Sequence, residues 1–154
     1  MTLSIDQIDK QILRALQKSP MLTQRALADT LNLSQNTCWR RLKALTDAGI
    51  LEESRFSINR EALGLDLVVF VMIKTRHHSD KWLAQFKRNV ETIPEVVDFF
   101  RIGGDHDYML KIVTTSMKGY DSVYQRLIRD IELDTVTSYF AMEGIFENRG
   151  VMIE

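Results

Sequence analysis

Between positions 34 and 43 the chain sets Ser34, Gln35, Asn36, Thr37, Trp39, Arg40 and Lys43 around a few apolar residues. These are side chains that can read a DNA duplex. Asn and Gln bond adenine edges in the major groove, Arg bonds guanine, and cations near phosphates release counterions. At about 100° per residue, Cys38, Leu42 and Leu45 fall on one stripe of a helix. Asn36, Arg40 and Lys43 fall on the opposite side, and Trp39 flanks them. Packing takes the first set and leaves the second for water or a ligand. Ser34 is of the type that caps a helix N-terminus, which would bring unpaired backbone N–H groups near a phosphate. Alone, the same pattern also fits a solvated amphipathic hairpin.

Such a helix needs neighbours to hold it, and the flanking sequence supplies them. Thr23 is the cap of a preceding short helix with Ala26, Leu27 and Leu31 inward, and Asn32 and Leu33 make the turn between the two. Upstream, Ile5, Ile8, Ile12, Leu13 and Leu16 recur at helical spacing, with Asp6 near the start as the helix dipole prefers. A third helix therefore packs on the pair, in the manner of a helix-turn-helix unit. Gly49 ends the second helix of the hairpin, and residues 51–58 have the spacing of a small β wing.

Charge separates the halves of the chain. Residues 1–60 hold nine Lys/Arg against six Asp/Glu, net +3, and residues 61–154 hold eleven against fifteen, net −4, which together make the overall −1. A near-neutral chain thus carries a basic head and an acidic body, and DNA is expected to meet the head only. The 154 residues and 45% hydrophobic content suffice for two small cores. We expect residues 1–60 to form the DNA-binding domain with wing and connector, and residues 61–154 a second domain. A single cysteine, Cys38, excludes an internal disulfide and reads as packing on the apolar stripe. Asp6 and Asp9 interrupt the N-terminus too early for a signal peptide. The longest apolar run, residues 67–73, is far short of the roughly 20 residues of a membrane helix. A cytoplasmic chain with no membrane partner is expected, and 67–73 reads as a strand buried on both faces.

The second half reads as strand, helix, strand, strand, helix, strand. Residues 67–75, 95–102, 108–115 and 136–142 are the strands. The helices are 79–93, with Leu83, Phe86, Val90 and Ile93 inward, and one from Met117 with Tyr120, Val123, Tyr124, Leu127 and Ile131 inward. This order predicts an α+β chain whose second domain is a ferredoxin-like βαββαβ sandwich, both helices on one face of a four-stranded antiparallel sheet. The other face then needs cover. Phe99, Phe100, Tyr108 and Phe140 are expected there, which makes a partner subunit the natural lid.

Three motifs place the chain in a wider context: residues 8–13, Ile-Asp-Lys-Gln-Ile-Leu; residues 34–45, from Ser34 to Leu45; and residues 47–51, Asp-Ala-Gly-Ile-Leu. With residues 104–111 around Asp107 and Tyr108, and residues 138–143 at the last strand, they resemble the leucine-responsive regulator/AsnC (Lrp/AsnC) family of bacterial and archaeal transcription factors. The resemblance covers nearly the whole chain in order. It implies dimers through the sheet face, often assembled into rings of eight chains, and a small effector, usually an amino acid, bound between dimers. Gly103 and Gly104 give a turn where backbone N–H groups can approach a carboxylate, and Asp107 offers an anion for an ammonium group. Without the family, 103–107 reads as an ordinary acidic hairpin turn. His106 and Tyr108 in the same motif, and Thr137 and Tyr139 on one side of the last strand, complete the expected effector set. His106 stands where Phe or Tyr is commoner, which suits a small polar ligand. Residues 73–82, 37–43 and 140–143 resemble the branch that senses cysteine and activates its degradation.

Two other classes compete with a regulator. An enzyme would draw on His77, His78 and His106 with Asp105 and Asp107. No His-x-x-x-His spacing or glycine-flanked nucleophile supports it, and no catalytic residue, metal or cofactor is expected. A ligand-binding or interaction module without DNA contact is opposed by the positive Arg40, Arg41 and Lys43.

Overall fold

In the computed structural model, which describes residues 4–53 and 55–154, every α-helix starts at a short polar side chain that accepts a backbone N–H. Asp6, Thr23 and Ser34 cap α1 (Gln7–Lys18), α2 (Gln24–Thr30) and α3 (Gln35–Asp47), and Ser79 and Ser116 cap α4 (Asp80–Glu91) and α5 (Met117–Leu127). The reason is local: a side-chain oxygen satisfies one of the donors that the first turn leaves free.

The chain forms two compact units, one of 1–58 with 146–154 and one of 59–145. In the first, Ile12, Leu13, Leu27, Ala28, Cys38 and Leu45 are the buried core of three helices. Ile5 lies 36% exposed, so the inward stripe of α1 effectively begins at Ile8. Asn32, at positive φ, turns the chain from α2 into α3, a conformation Asn tolerates better than other side chains. Gly49, also at positive φ, ends α3: its N–H donates to the Thr46 carbonyl and the Ile50 N–H donates to the Leu45 carbonyl, a Schellman cap.

Two features of this unit differ from expectation. Residues 51–58 hold no strand among the described residues, Ser54 lying outside them. Their alternation suits a strand, but a strand exists only when another pairs with it, and none does here. The C-terminal residues 146–154 are grouped with this unit, whose helix α1 they touch. Arg14 donates from Nε and Nη2 to the Ile153 carbonyl at 3.1 and 2.8 Å, and Ile153 packs on the core.

The second unit holds β1 (Leu67–Lys74), β2 (Val96–Arg101), β3 (Tyr108–Thr114) and β4 (Thr135–Phe140), antiparallel in the order β2-β3-β1-β4. This is the ferredoxin-like arrangement. Val69, Val71, Ile73, Leu110 and Ile112 of the sheet meet Phe86 and Val90 of α4 and Val123 and Leu127 of α5, so both helices cover one face. Trp82, not among the inward positions expected of α4, is buried with them.

The aromatic residues divide differently from the sequence expectation. Tyr108 is 3% exposed and packs edge-on to Phe86 and Phe99, on the helix side. Phe140 pairs with Val69 and lies edge-on to Tyr120, again on that side. Of the four aromatics expected on the open face, only Phe100 is there, in register with Met109. The open face is instead Phe70, Met72, Phe100, Met109 and Tyr139, an apolar patch built from different residues. Strand side chains alternate with period two, and a register shift between Val96 and Asp98 resets that alternation in β2. β1 is accordingly not buried on both faces: Phe70 and Met72 remain half-exposed.

Candidate DNA-binding face and effector site

The N-terminus of α3 is held by Ser34, whose hydroxyl oxygen accepts the Thr37 N–H at 3.1 Å and donates to Thr37 Oγ1 at 2.8 Å. Ser34 and Thr37 thus set the start of the helix, and both lie at its outer end. Gln35, Asn36, Arg40 and Lys43 are exposed, and Trp39 is 51% exposed. The side chains the spacing assigned to the outside are therefore together on one face. Lys43 forms a surface pair with Asp47 at 2.9 Å; such an i,i+4 pair stabilises by only about 0.3–0.5 kcal/mol, so it does not prevent Lys43 from turning to a phosphate. Behind this face Cys38 is fully buried, with its thiol 3.9 Å from the Gln24 carbonyl, and burial pushes its pKa up, as suits a packing residue.

Arg41 does not belong to the outward set. Its guanidinium turns inward to Asp6 and Asp9, so its charge is neutralised within the unit. The sequence carried the signal: Arg41 lies three residues after Cys38 and four before Leu45, both on the packed side. Asp9, buried at 7% exposure, was likewise not anticipated inside.

In the second unit the turn 102–107 joins β2 to β3. Asp107 is its anchor: the backbone N–H donates to the Ile73 carbonyl, the carbonyl accepts the Ile102 N–H, both at 2.9 Å, and Oδ2 accepts the Thr75 N–H at 2.8 Å. Gly103 and Gly104 are exposed, and Gly104 has positive φ, where a side chain would be strained. His106 and Asp107 are half-buried. Tyr108 turns into the core, whereas Thr137 and Tyr139 lie on the open sheet face opposite Met72 and Phe70. Within one chain, then, the expected effector residues form two groups: the turn at the sheet end and the open face. A polar hollow of about 150 Å³ at that same sheet end is lined by Arg76, His77, Glu132, Leu133 and Asp134, none of them in the expected set.

A helix-turn-helix unit with a polar, basic outer helix, joined to a ferredoxin-like sheet, defines a DNA-binding transcriptional regulator. Residues 5–52 match the winged helix-turn-helix DNA-binding family and residues 68–151 match the Lrp/AsnC ligand binding domain. The chain is 42% identical to the DNA-binding transcriptional activator DecR of Escherichia coli K12, over 97% of this chain and 99% of that one. It is 36% identical to a glutamate uptake regulatory protein of Zymomonas mobilis, over 92% and 86% of the two. Among solved structures, an AsnC family regulator from Agrobacterium tumefaciens superposes with a TM-score of 0.90 at 36% identity, covering 96% of this chain and 97% of that one. The regulator NMB0573 from Neisseria meningitidis, solved as a complex with L-Met, superposes with a TM-score of 0.86 at 30% identity, covering 94% of each. The chain belongs to the Lrp/AsnC family of transcriptional regulators. DecR and the Agrobacterium protein are likewise transcriptional regulators. Among the described residues no helix is long and apolar enough to cross a membrane.

Proposed function

We propose that this regulator binds DNA through Gln35, Asn36, Trp39, Arg40 and Lys43, with Ser34 and Thr37 at the helix end facing a phosphate, and that a small amino acid held by the second unit controls the binding. The observation that carries the DNA reading is the exposed, polar grouping on α3, on the side of the helix away from the fully buried Cys38 and Leu45. Direct readout by Arg is worth about 1–3 kcal/mol, and a phosphate contact adds to the salt dependence without selecting sequence. Arg40→Ala is therefore expected to weaken binding to the DNA upstream of the chain's own gene and to change preference at one base pair. Lys43→Ala should weaken all sequences alike and lower the salt slope. Unchanged binding by both, with the fold intact, removes the proposed face.

For the effector, support comes from Asp107 beside the Gly103–Gly104 turn and from the relative solved with L-Met. The zwitterion of an amino acid matches backbone N–H groups and a carboxylate. Cysteine is the first candidate, on the resemblance of residues 37–43, 73–82 and 140–143 to the cysteine-sensing branch. A thermal-shift screen of the proteinogenic amino acids tests this, since a ligand of the folded state raises its stability. The open apolar sheet face supports a homodimer, with further assembly to an octamer bringing the turn of one dimer to another. A cytoplasmic location accords with this function.

A further inference from the structure

α3 carries two adjacent guanidinium groups that the helical turn sends to different places: Arg40 is exposed and Arg41 is half-buried. Arg41 Nη1 donates to Asp6 Oδ2 at 2.7 Å and to Asp9 Oδ1 at 2.8 Å. The two carboxylates are themselves locked, for the Asp9 N–H donates to Asp6 Oδ1 at 2.9 Å and the Asp6 N–H donates to Asp9 Oδ2 at 3.1 Å, the capping box that starts α1. All four carboxylate oxygens thus have a donor. One cation ties the first turn of α1 to the middle of α3. The backbone N–H of Asp9, then Arg41, hold the Asp6 carboxyl below its usual range, and Asp9 and Asp6 raise Arg41 above its own.

We propose that Arg41 is a positioning residue, which sets α3 against α1 through Asp6 and Asp9 and gives no charge to DNA. The proposal rests on α3 being the DNA-reading helix. Without Arg41, Asp9 is left buried with no cation, and α3 loses the tie that aims its outer face. Lysine substitutes poorly because its side chain is one bond shorter, so its ammonium falls short of the position that Arg41 Nη1 holds between the two carboxylates.

The test uses the full chain and a salt titration of binding, both to random-sequence duplex and to the DNA upstream of its own gene. Arg41→Met is expected to bind the upstream DNA about tenfold more weakly, comparable to one lost base contact, with the wild-type salt slope. Lys43→Ala, the control, lowers that slope by about 0.9. Arg41→Lys should lose as much as Arg41→Met although it keeps the charge. Asp9→Asn should weaken binding similarly, and Arg41→Met/Asp9→Asn no further than either alone, since the two residues act as one. A slope reduced by about 0.9 in Arg41→Met, or a slope that Arg41→Lys restores from a reduced Arg41→Met value, reveals a phosphate contact and overturns the proposal. Should Arg41→Met fail to fold, Asp6→Asn carries the same test: weaker binding at unchanged slope supports the tie, and unchanged binding overturns it. Loss of the slope effect in Lys43→Ala speaks against the recognition face instead. Thermal melting of the same variants then decides the tie alone, with non-additive losses at Arg41 and Asp9 supporting it and additive ones overturning it.

Discussion

Replacing Asp107 by Asn removes a charge while leaving an acceptor of the same shape, which separates two roles for this side chain. In the fold, Asp107 Oδ2 accepts the N–H of Thr75, a residue only 3% exposed, the Asp107 N–H fastens the 102–107 turn to the Ile73 carbonyl, and the Asp107 carbonyl closes the turn by accepting the Ile102 N–H. A hydrogen bond to a charged group contributes about 1.5–3 kcal/mol and a neutral one about 0.5–1.5. Since the Asn oxygen still accepts the Thr75 N–H, the stability loss in Asp107→Asn should be about 1 kcal/mol. Asp107→Ala leaves that buried N–H without an acceptor and should cost roughly 1–3 kcal/mol more. Effector affinity behaves differently. If the carboxylate holds an ammonium group, its neutralisation costs about 1.5–3 kcal/mol, a loss of roughly tenfold to a hundredfold in Kd. Effector-free DNA affinity should hardly change, because the turn and α3 belong to separate compact units. Titration calorimetry of wild type and Asp107→Asn with L-cysteine, then with the other amino acids, reads the first quantity, and thermal melting reads the second. Equal ligand affinity in the two proteins refutes the charge role and leaves Asp107 as the anchor of its own turn.

Met72 lies on the open sheet face between Met109 and Thr137, so Met72→Glu should shift the proposed dimer toward monomer in sedimentation without unfolding the chain, since burying a carboxylate in an apolar contact is costly. A folded wild-type monomer at micromolar concentration contradicts the assigned interface. Gly119→Ala should destabilise despite alanine's helix preference of about 1 kcal/mol: its Cβ would lie 2.4 Å from Thr114 Oγ1, and overpacking costs about 1–3 kcal/mol. A stabilised variant in urea melts would show that Thr114 yields freely. The Arg126 guanidinium holds Glu95 below its ordinary pKa of 4.5, so the unfolded chain takes up this proton first as pH falls. The pair's contribution is complete above that ordinary value and is lost as pH falls through the depressed one, so the stability gap between wild type and Glu95→Gln should close in acid. A gap that persists unchanged there is the contrary result.

Local features of this protein were legible because their causes are local. Caps at Thr23 and Ser34, the Gly49 stop, and the apolar spacing of each helix follow from turns of a few residues, and the structure bears them out. The order of strands and helices, together with the motif resemblance, was enough to anticipate a helix-turn-helix unit and a ferredoxin-like sheet. The outward grouping of Asn36, Arg40 and Lys43 came from the same periodicity, since on a single helix angle alone separates the faces.

What tertiary structure decided lies where distant segments meet. Composition counts Arg40 and Arg41 as equal charges, yet the carboxylates of Asp6 and Asp9, more than thirty residues earlier, draw only Arg41 inward. Aromatic content announced an apolar sheet face, but register and the shift at Val96 and Asp98 determined that Phe70, Met72 and Tyr139 occupy it while Phe99 and Tyr108 fill the core. Among the described residues, strand-like 51–53 and 55–58 found no pairing partner, and the tail at Ile153 found Arg14. Periodicity can say which side of an element is apolar. Which element receives that side, and which of two like charges is neutralised, depends on contacts that exist only once the chain has closed on itself.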